Sequence, residues 1–300
     1  MDITLTHLKT LIAVVDAGGF GAAAAELGVS QSAVSHTIAA LERISGQPVV
    51  EREVPITPTG LGRGILEHAR IAVAASAAAE DILRGRGDSP SGTITLAAPP
   101  TACHAVLPAL LRTWRLELPR VKVVVLEGED GEIARWLADA TADAAVLVDP
   151  PQVPAGAVLL ARDGFCAVVA NDHPLAGEAV VDLGELADDA LLLSTGGCEP
   201  HIRELHRRAR SEFLPAHRVR QLSTLFSMVR AGIGVTIVPE SASGMEGSDV
   251  VLIPIKHNLV RSLYLCGPPD RPWHPAVARM VGAARTIIDD GQSYSADSSL

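Results

Sequence analysis

The stretch "GGFGAAAAELGVSQSAVSHTIAALERISG", residues 18–46, leaves the chain little conformational choice. Gly18-Gly19 closes one helical pattern, in which Leu8, Leu11, Ile12 and Val15 recur at i, i+3, i+4 and i+7, and a second helix begins near Phe20. That helix runs to Gly28, where the lack of a Cβ suits a tight turn. Ser30 is placed to cap a third helix and Gly46 to end it. Two short helices joined by such a turn make a helix-turn-helix, whose second helix enters the major groove of DNA. At about 100° per residue, Val34, Ile38 and Leu41 fall on one side of that second helix, and Ser32, Ser35, His36 and Ala39 on the other. The first face packs. The second offers small hydrogen-bonding groups where a merely solvated face carries Lys and Glu, and DNA base edges are a surface that such groups read.

The charge balance resists a simple electrostatic account of DNA binding. The chain has a formal net charge of −10, which excludes a protein that coats nucleic acid by charge alone. Residues 1–64 carry Lys9, Arg43, Arg52 and Arg63 against Asp2, Asp16, Glu26, Glu42, Glu51 and Glu53, a balance of −2. With 300 residues and 48% hydrophobic content, the chain is long enough for two or three modules with sizeable cores. Asp16, Glu26, Arg70 and Glu80 interrupt the best apolar runs, so no membrane span is expected. The N-terminus Met1-Asp2-Ile3-Thr4 lacks a basic segment followed by an apolar one, so no secretory signal is expected either. Four cysteines without close pairing do not make a disulfide framework, and the chain reads as cytoplasmic.

From Leu8 to Gly64 the sequence resembles the winged helix-turn-helix of LysR-type transcriptional regulators. The segments that carry the likeness are "DAGGFGAAAAELGVSQSAVSHTIAALE", "VVER" at 49–52 and "ITPTG" at 56–60. The resemblance implies Gln31, Ser32, Ser35 and His36 at base edges, with Thr37, Arg52 and Thr57 near phosphate. Two departures stand out: the wing between Arg52 and Thr57 is short, and recognition-helix positions that are often Arg in the family are His36 and Ala39 here. Fewer phosphate contacts and a shallow salt dependence follow.

Residues 59–86 are Ala-rich and without proline. Leu61, Ile65, His68, Ala72, Ala75, Ala79 and Ile82 are spaced alternately by four and three residues, the repeat of about 3.5 that paired helices share. A single helix packing on its own domain shows a similar pattern. The family resemblance implies the linker helix through which such regulators form homodimers or homotetramers, with Leu61, Ile65, Ala72, Ala75, Ala79 and Ile82 at the interface. Residues 85–92, "GRGDSPSG", read as a linker by composition. Strands at 93–98, 121–126 and 144–148 then alternate with helices at 102–118 and 131–140. A second series has strands at 165–170 and 190–193, a helix at 201–212, and a helix-to-strand turn at Gly232 and Gly234 within 228–237. A strand at 263–266 and a helix at 276–289 return to the first lobe, and 293–300 reads as a polar tail.

The expected architecture is therefore an α/β chain with an N-terminal all-α winged helix-turn-helix at 1–60, a long linker helix at 61–87, and a two-lobed α/β regulatory domain at 88–300. The last part resembles the family's regulatory domain, which is similar to periplasmic solute-binding proteins, through "NDHPLA" at 171–176 and "VRAGIGVTIVPE" at 229–240. Ligands of such lobes lie at the carboxyl ends of strands. Thr101, Ala102 and Cys103, then Gly128 and Glu129, then Thr195, Gly196, Gly197 and Cys198 meet that description, so a small-molecule effector is expected between the lobes. These residues also serve simply to end strands and start helices.

Cys198 precedes Glu199-Pro200, and a proline in the first turn marks a helix start, whose dipole lowers a thiol pKa. The position resembles the peroxide-reacting cysteine of peroxide-sensing family members. The second cysteine that such sensors use is absent, with Arg207 in its place. A pocket-lining role for Cys198 is preferred over a redox switch. Cys198, His201 and His206 fit tetrahedral zinc spacing poorly, so no metal and no cofactor is expected. No Ser-His-Asp, HExxH, P-loop or dinucleotide-binding pattern occurs in a suitable context, so an enzyme is not expected. The reading is a DNA-binding regulator controlled by an effector. The alternatives are a thiol-based redox regulator using Cys198, or an α/β solute-binding or enzymatic module that has lost DNA binding.

Overall fold

A computed structural model describes residues 2–83, 90–247, 249–256 and 259–289. The chain divides into two compact units, the first holding the N-terminal helices and the second the sheets that follow. The expected linker at 85–92 falls largely outside the described residues, and the expected tail at 293–300 entirely so.

The first unit holds α1 (Leu5–Asp16), α2 (Phe20–Leu27), α3 (Gln31–Ser45), β1 (Val50–Glu51), β2 (Thr57–Pro58) and α4 (Gly60–Leu83). The glycines act where the sequence places them. Gly28 and Gly46 end α2 and α3 in the left-handed conformation, with φ 66° and 71°, which a Cβ disfavours. Ser30 Oγ accepts the Ala33 N–H at 3.2 Å and caps α3. Val34, Ile38 and Leu41 are buried with Leu11, Val14 and Ala23, which fixes how α3 is turned. β1 and β2 pair antiparallel, and the wing between them is tied back by the Ile56 N–H to the Gly18 carbonyl at 2.9 Å. α4 packs along α1, with Leu66 in the shared core, Ala69 fully buried and Arg70 ion-paired to Asp16.

The second unit begins with β3 (Gly92–Ala98), α5 (Pro100–Ala105), α6 (Leu107–Glu117), β4 (Val121–Glu127), α7 (Asp130–Ala138), β5 (Ala144–Val148) and β6 (Val158–Asp163). The chain then builds β7 (Phe165–Ala170), β8 (Leu191–Ser194), α8 (Glu199–Ala209), β9 (Pro215–Val219), α9 (Leu222–Arg230), β10 (Val235–Pro239) and β11 (Val250–Pro254). It closes with β12 (Arg261–Cys266) and α10 (Pro275–Asp289). Two five-stranded sheets result, ordered β4-β3-β5-β12-β6 and β11-β7-β10-β8-β9. β12 lies antiparallel between β5 and β6, so the last strand does return to the first lobe. The chain crosses between lobes twice, at Gly164 and again before Arg261.

Three strands, β6, β9 and β11, have no counterpart among the expected ones. The expected single helix at 102–118 is broken in two at Val106, and Pro108, which has no N–H to donate, sits in the first turn of α6. The expected helix at 201–212 begins earlier, at Glu199, with Pro200 in its first turn, and ends at Ala209 with Arg210 left-handed. Each lobe has its own core: Trp114, Leu110 and Met280 anchor the first, Phe165, Ile202 and Ile237 the second.

The tightest backbone approach in the first unit lies at Gly62, where an added Cβ would sit 1.9 Å from the Val49 carbonyl oxygen. Gly62→Ala is therefore expected to destabilise the first unit by at least ~1–3 kcal/mol. Gly64, two residues on, has nothing within 4 Å of such a Cβ, and Gly64→Ala is expected to stabilise by ~0.5–1 kcal/mol through helix propensity. Thermal or urea unfolding of both variants checks the contrast.

Candidate functional site

The face of α3 opposite its buried side is presented to solvent. Gln31, Ser32, Ser35 and His36 are exposed, held at fixed angles by Val34, Ile38 and Leu41 beneath them. Thr37 donates its hydroxyl proton to the Ala33 carbonyl at 2.9 Å, which leaves its oxygen only as an acceptor and so ill suited to a phosphate. Arg52 is exposed but pairs with Glu42 at 3.0 Å, and Thr57 is exposed on β2. Arg43 and Arg63 donate to the carbonyls of Ala39 and Pro58. On α4, Leu61, His68, Ala75 and Ala79 are exposed, and Ile65 and Ala72 are half-buried. Ile65 also touches the core of its own unit, and the side chain of Ile82 lies outside the described residues.

In the second unit, the carboxyl ends of strands from both lobes surround a cavity of about 280 Å³. The first lobe supplies Pro100, Glu127, Gly128 and Glu129, and the second supplies Gly196, Met245 and the segment Arg220, Gln221, Leu222 and Ser223 that opens α9. Of the expected effector residues, Gly128, Glu129 and Gly196 line this space. Thr195 gives its backbone N–H to the Val219 carbonyl at 3.0 Å. Ala102 is fully buried in the first lobe's core, and Cys103 packs against that core with Sγ 3.7 Å from the Ala98 carbonyl oxygen. Burial, reinforced by Glu127, pushes the Cys103 thiol up to about 11.

Thr101 and Cys198 converge instead on a group that the motifs did not single out. Arg261, at the start of β12, forms a buried ion pair with Asp163 at the end of β6, Nη2 to Oδ2 2.6 Å and Nε to Oδ2 3.0 Å. The same Nη2 lies 2.8 Å from Thr101 Oγ1 and 3.0 Å from Ser241 Oγ, and Nη1 lies 4.0 Å from Cys198 Sγ. Asp163 also accepts the Ser241 backbone N–H at 3.0 Å. The pair stands where the chain crosses between lobes, and it bonds a hydroxyl from each. In sequence Arg261 is only a lone charge before an apolar strand, in "LVRSLYLC", and Asp163 only half of an adjacent Arg-Asp pair, in "LLARDGFC".

Around this centre polar contacts between described residues tie the lobes. His201 Nε2 lies 2.8 Å from Asp149 Oδ2, Arg220 reaches Glu129 and Glu132 at 2.9 and 2.8 Å, and His104 Nε2 lies 3.2 Å from the Ser243 carbonyl. Asp130 packs against Gly197, where φ is 103° and a Cβ would stand 2.6 Å from the carboxylate, so only glycine fits there. Burial raises the Asp130 pKa, Arg261 and His201 opposing and Asp149 and Glu129 adding.

The expectation that a helix dipole lowers the Cys198 thiol pKa is corrected. The side chain is buried in the second lobe's core, and burial pushes the thiol up to about 11. Arg261 opposes this and Asp130 and Asp163 add to it. Arg203, on the same helix, pairs with Glu199 at 2.8 Å and stacks on Phe213. His201 and His206 turn to Asp149 and Ser211, not to Cys198.

Removing one partner of a buried ion pair leaves an uncompensated charge, so Arg261→Met is expected to cost ~3–5 kcal/mol in urea unfolding. The double variant Arg261→Met, Asp163→Leu should recover most of that loss, and equal losses in both would refute the pairing argument. For Asp130, a raised native pKa means that the folded chain binds more protons than the unfolded chain between the two values, so its contribution to stability falls as pH rises through that window. Asp130→Asn is therefore expected to exceed the parent in stability at pH 7, with the gain disappearing below the unfolded value of about 3.8. Unfolding midpoints measured across pH check the sign.

The model described as "Bacterial regulatory helix-turn-helix protein, lysR family" matches residues 5–63, and that described as "LysR substrate binding domain" matches residues 87–287. The probable hydrogen peroxide-inducible genes activator of Mycobacterium leprae (strain TN) is 32% identical over 81% of this chain and 80% of its own. The HTH-type transcriptional regulator IlvR of Caulobacter vibrioides is 30% identical over 98% of this chain and 99% of its own. Among solved structures, full-length CbnR complexed with its target DNA has a TM-score of 0.66 and 25% identity, covering 95% of this chain and 99% of that one. The OxyR C206 mutant of Corynebacterium glutamicum has a TM-score of 0.61 and 26% identity, covering 97% and 94%. With both halves matched in order and relatives of this identity spanning the chain, the protein belongs to the LysR family of transcriptional regulators.

Proposed function

We propose that this LysR-type chain is a cytoplasmic regulator that binds double-stranded DNA through α3 and answers to a small polar effector in the interlobe cleft. Residues 1–60 bind DNA, 61–87 join chains into a homodimer or homotetramer, and 88–300 hold the effector. The observation that carries this reading is the face of α3: Gln31, Ser32, Ser35 and His36 are exposed on a helix whose orientation Val34, Ile38 and Leu41 lock. Short polar side chains on a rigid helix suit direct contact with base edges. The likeness to CbnR, whose structure holds its target DNA, supports it.

The cleft supports the control function. Its cavity is bordered by Arg220 and by the first turn of α9, where backbone N–H groups lack intrahelical partners, and by Glu127 and Glu129 opposite. An effector there competes with the Arg220 pairs to Glu129 and Glu132 that tie the lobes, so its affinity differs between lobe arrangements. The redox reading has a relative named for peroxide induction on its side. Against it stands a buried Cys198 thiol with a pKa of about 11, which is neutral at pH 7, whereas the thiolate is the reactive form.

Mobility shifts with the DNA upstream of its own gene test the first half. Ser35→Glu and His36→Glu are expected to weaken specific binding more than tenfold without altering the fold, and undiminished binding by both would remove α3 from the reading role. For the second half, Cys198→Ser is expected to keep DNA binding, and the native thiol to resist alkylation at pH 7 until the chain is unfolded. A peroxide response present in the parent and lost in the serine variant would transfer control to the thiol.

A further inference from the structure

The two walls of the interlobe cavity differ in charge, and the difference follows the lobes. From the first lobe, Glu127 at the end of β4 and Glu129 just beyond it border the space. Glu127 is exposed and forms no ion pair among the described residues. The second lobe contributes charge of the opposite sign, through Arg220, whose side chain is 63% exposed, and through the opening of α9. No side chain caps that helix, and the N–H groups of its first turn lack intrahelical acceptors and carry partial positive charge. The walls meet where Arg220 Nε bonds Glu129 Oε1 at 2.9 Å. Leu222 and Met245, both half-buried, add apolar surface beside that contact.

We infer that the ligand of this cleft is a zwitterion, an α-amino acid with a short aliphatic side chain, its ammonium on Glu127 and Glu129 and its carboxylate on Arg220 and the first turn of α9. The assignment rests on the reading of the cleft as the effector site and adds the ligand's chemistry to it. A bare carboxylate fits poorly. To reach Arg220 it must share the guanidinium with Glu129 and Glu132 and lie beside Glu127 as well, so three carboxylates surround it with one cation among them. A bare amine is met by Glu127 without displacing anything, but it engages no charge of the second lobe and so hardly distinguishes one lobe arrangement from another. A molecule with both charges answers both walls. Its ammonium takes the place of the guanidinium at Glu129 while its carboxylate takes the place of Glu129 at the guanidinium, so each charge displaced is replaced by one of the same sign. Volume sets the rest: about 280 Å³ lies just below the ~300–1,000 Å³ of most small-molecule pockets. The ligand is therefore small, and Leu222 and Met245 give its hydrocarbon part an apolar surface to cover.

The test is calorimetric titration of the full-length protein with L-valine, with isovalerate and isobutylamine as comparators, which are valine without its ammonium and valine without its carboxylate. Valine is expected to bind at least tenfold more tightly than either. Glu127→Gln, at an exposed position that the fold does not depend on, should weaken valine at least tenfold and should not weaken isovalerate. Isovalerate or isobutylamine binding the parent as tightly as valine overturns the assignment, as does a valine affinity unchanged in Glu127→Gln or the absence of valine binding at millimolar concentration. Mobility shifts with the upstream DNA, run with and without each compound, separate this assignment from the reading beneath it. Valine that binds through Glu127 but leaves the DNA complex unaltered supports the assignment and refutes control by the cleft. Isovalerate that binds and alters the DNA complex where valine does neither refutes the assignment and supports control by the cleft.

Discussion

The Arg261–Asp163 ion pair governs what the second unit is able to do. Its two members sit at the start of β12 and the end of β6, where the chain passes between lobes, and both are almost wholly removed from solvent. A buried pair of this kind contributes little net stability but tolerates no loss of a partner, so it fixes geometry more than it adds free energy. Any movement of one lobe against the other must therefore keep the pair intact and spend its change elsewhere. The available changes are the hydrogen bonds from the guanidinium to Thr101 in the first lobe and Ser241 in the second. The other ties named above, His201–Asp149, Arg220 to Glu129 and Glu132, and His104 to the Ser243 carbonyl, are partly exposed. Exposed pairs are worth about 0–1 kcal/mol each. A ligand with a differential affinity of a few kcal/mol is then enough to reset the lobes about a hinge that does not itself yield.

How much of this was legible depended on whether the determining physics was local. Gly28, Ser30 and Gly46 mark helix boundaries through backbone conformations that their own side chains permit or cap, and the helices of the first unit begin and end where they stand. Val34, Ile38 and Leu41 give α3 its orientation by period alone. The strands β9 and β11 were missed because β9, "PAHRV", is a polar edge strand, and β11 ends in a proline that reads as a breaker. The break at Val106 was missed because Pro108 falls two residues inside α6, where it serves as a start, not as an interruption of one helix.

The site was less legible than the fold for a related reason. Thr101 and Cys198 could be placed at strand ends from sequence, but their partner Arg261 is 160 residues from one of them and 63 from the other. Nothing in the local pattern says that a lone arginine before an apolar strand turns inward. Only the two crossovers, which bring β6 and β12 side by side, supply Asp163 to neutralise it. Ala102 and Cys103 follow Thr101 in sequence but part from it in the fold, since α5 buries Ala102 in the first lobe's core and packs a half-buried Cys103 against it.

Cys198 shows why a motif position does not carry its chemistry with it. A thiol at a helix start gains from the dipole, but that gain acts within the first turn and is modest, whereas desolvation in a packed core moves a pKa by several units. The nearby guanidinium does not reverse the balance, because Asp163 occupies its Nε and Nη2 and leaves only Nη1 4.0 Å from the sulfur. Asp130, held close by the missing side chain of Gly197, adds negative charge on the same side. A thiolate there needs a cation free to meet it, and this hinge has committed its cation to keeping two strands together. Burial pushes the thiol up to about 11, and the cation that would have to offset that burial is the one that holds β6 and β12 together.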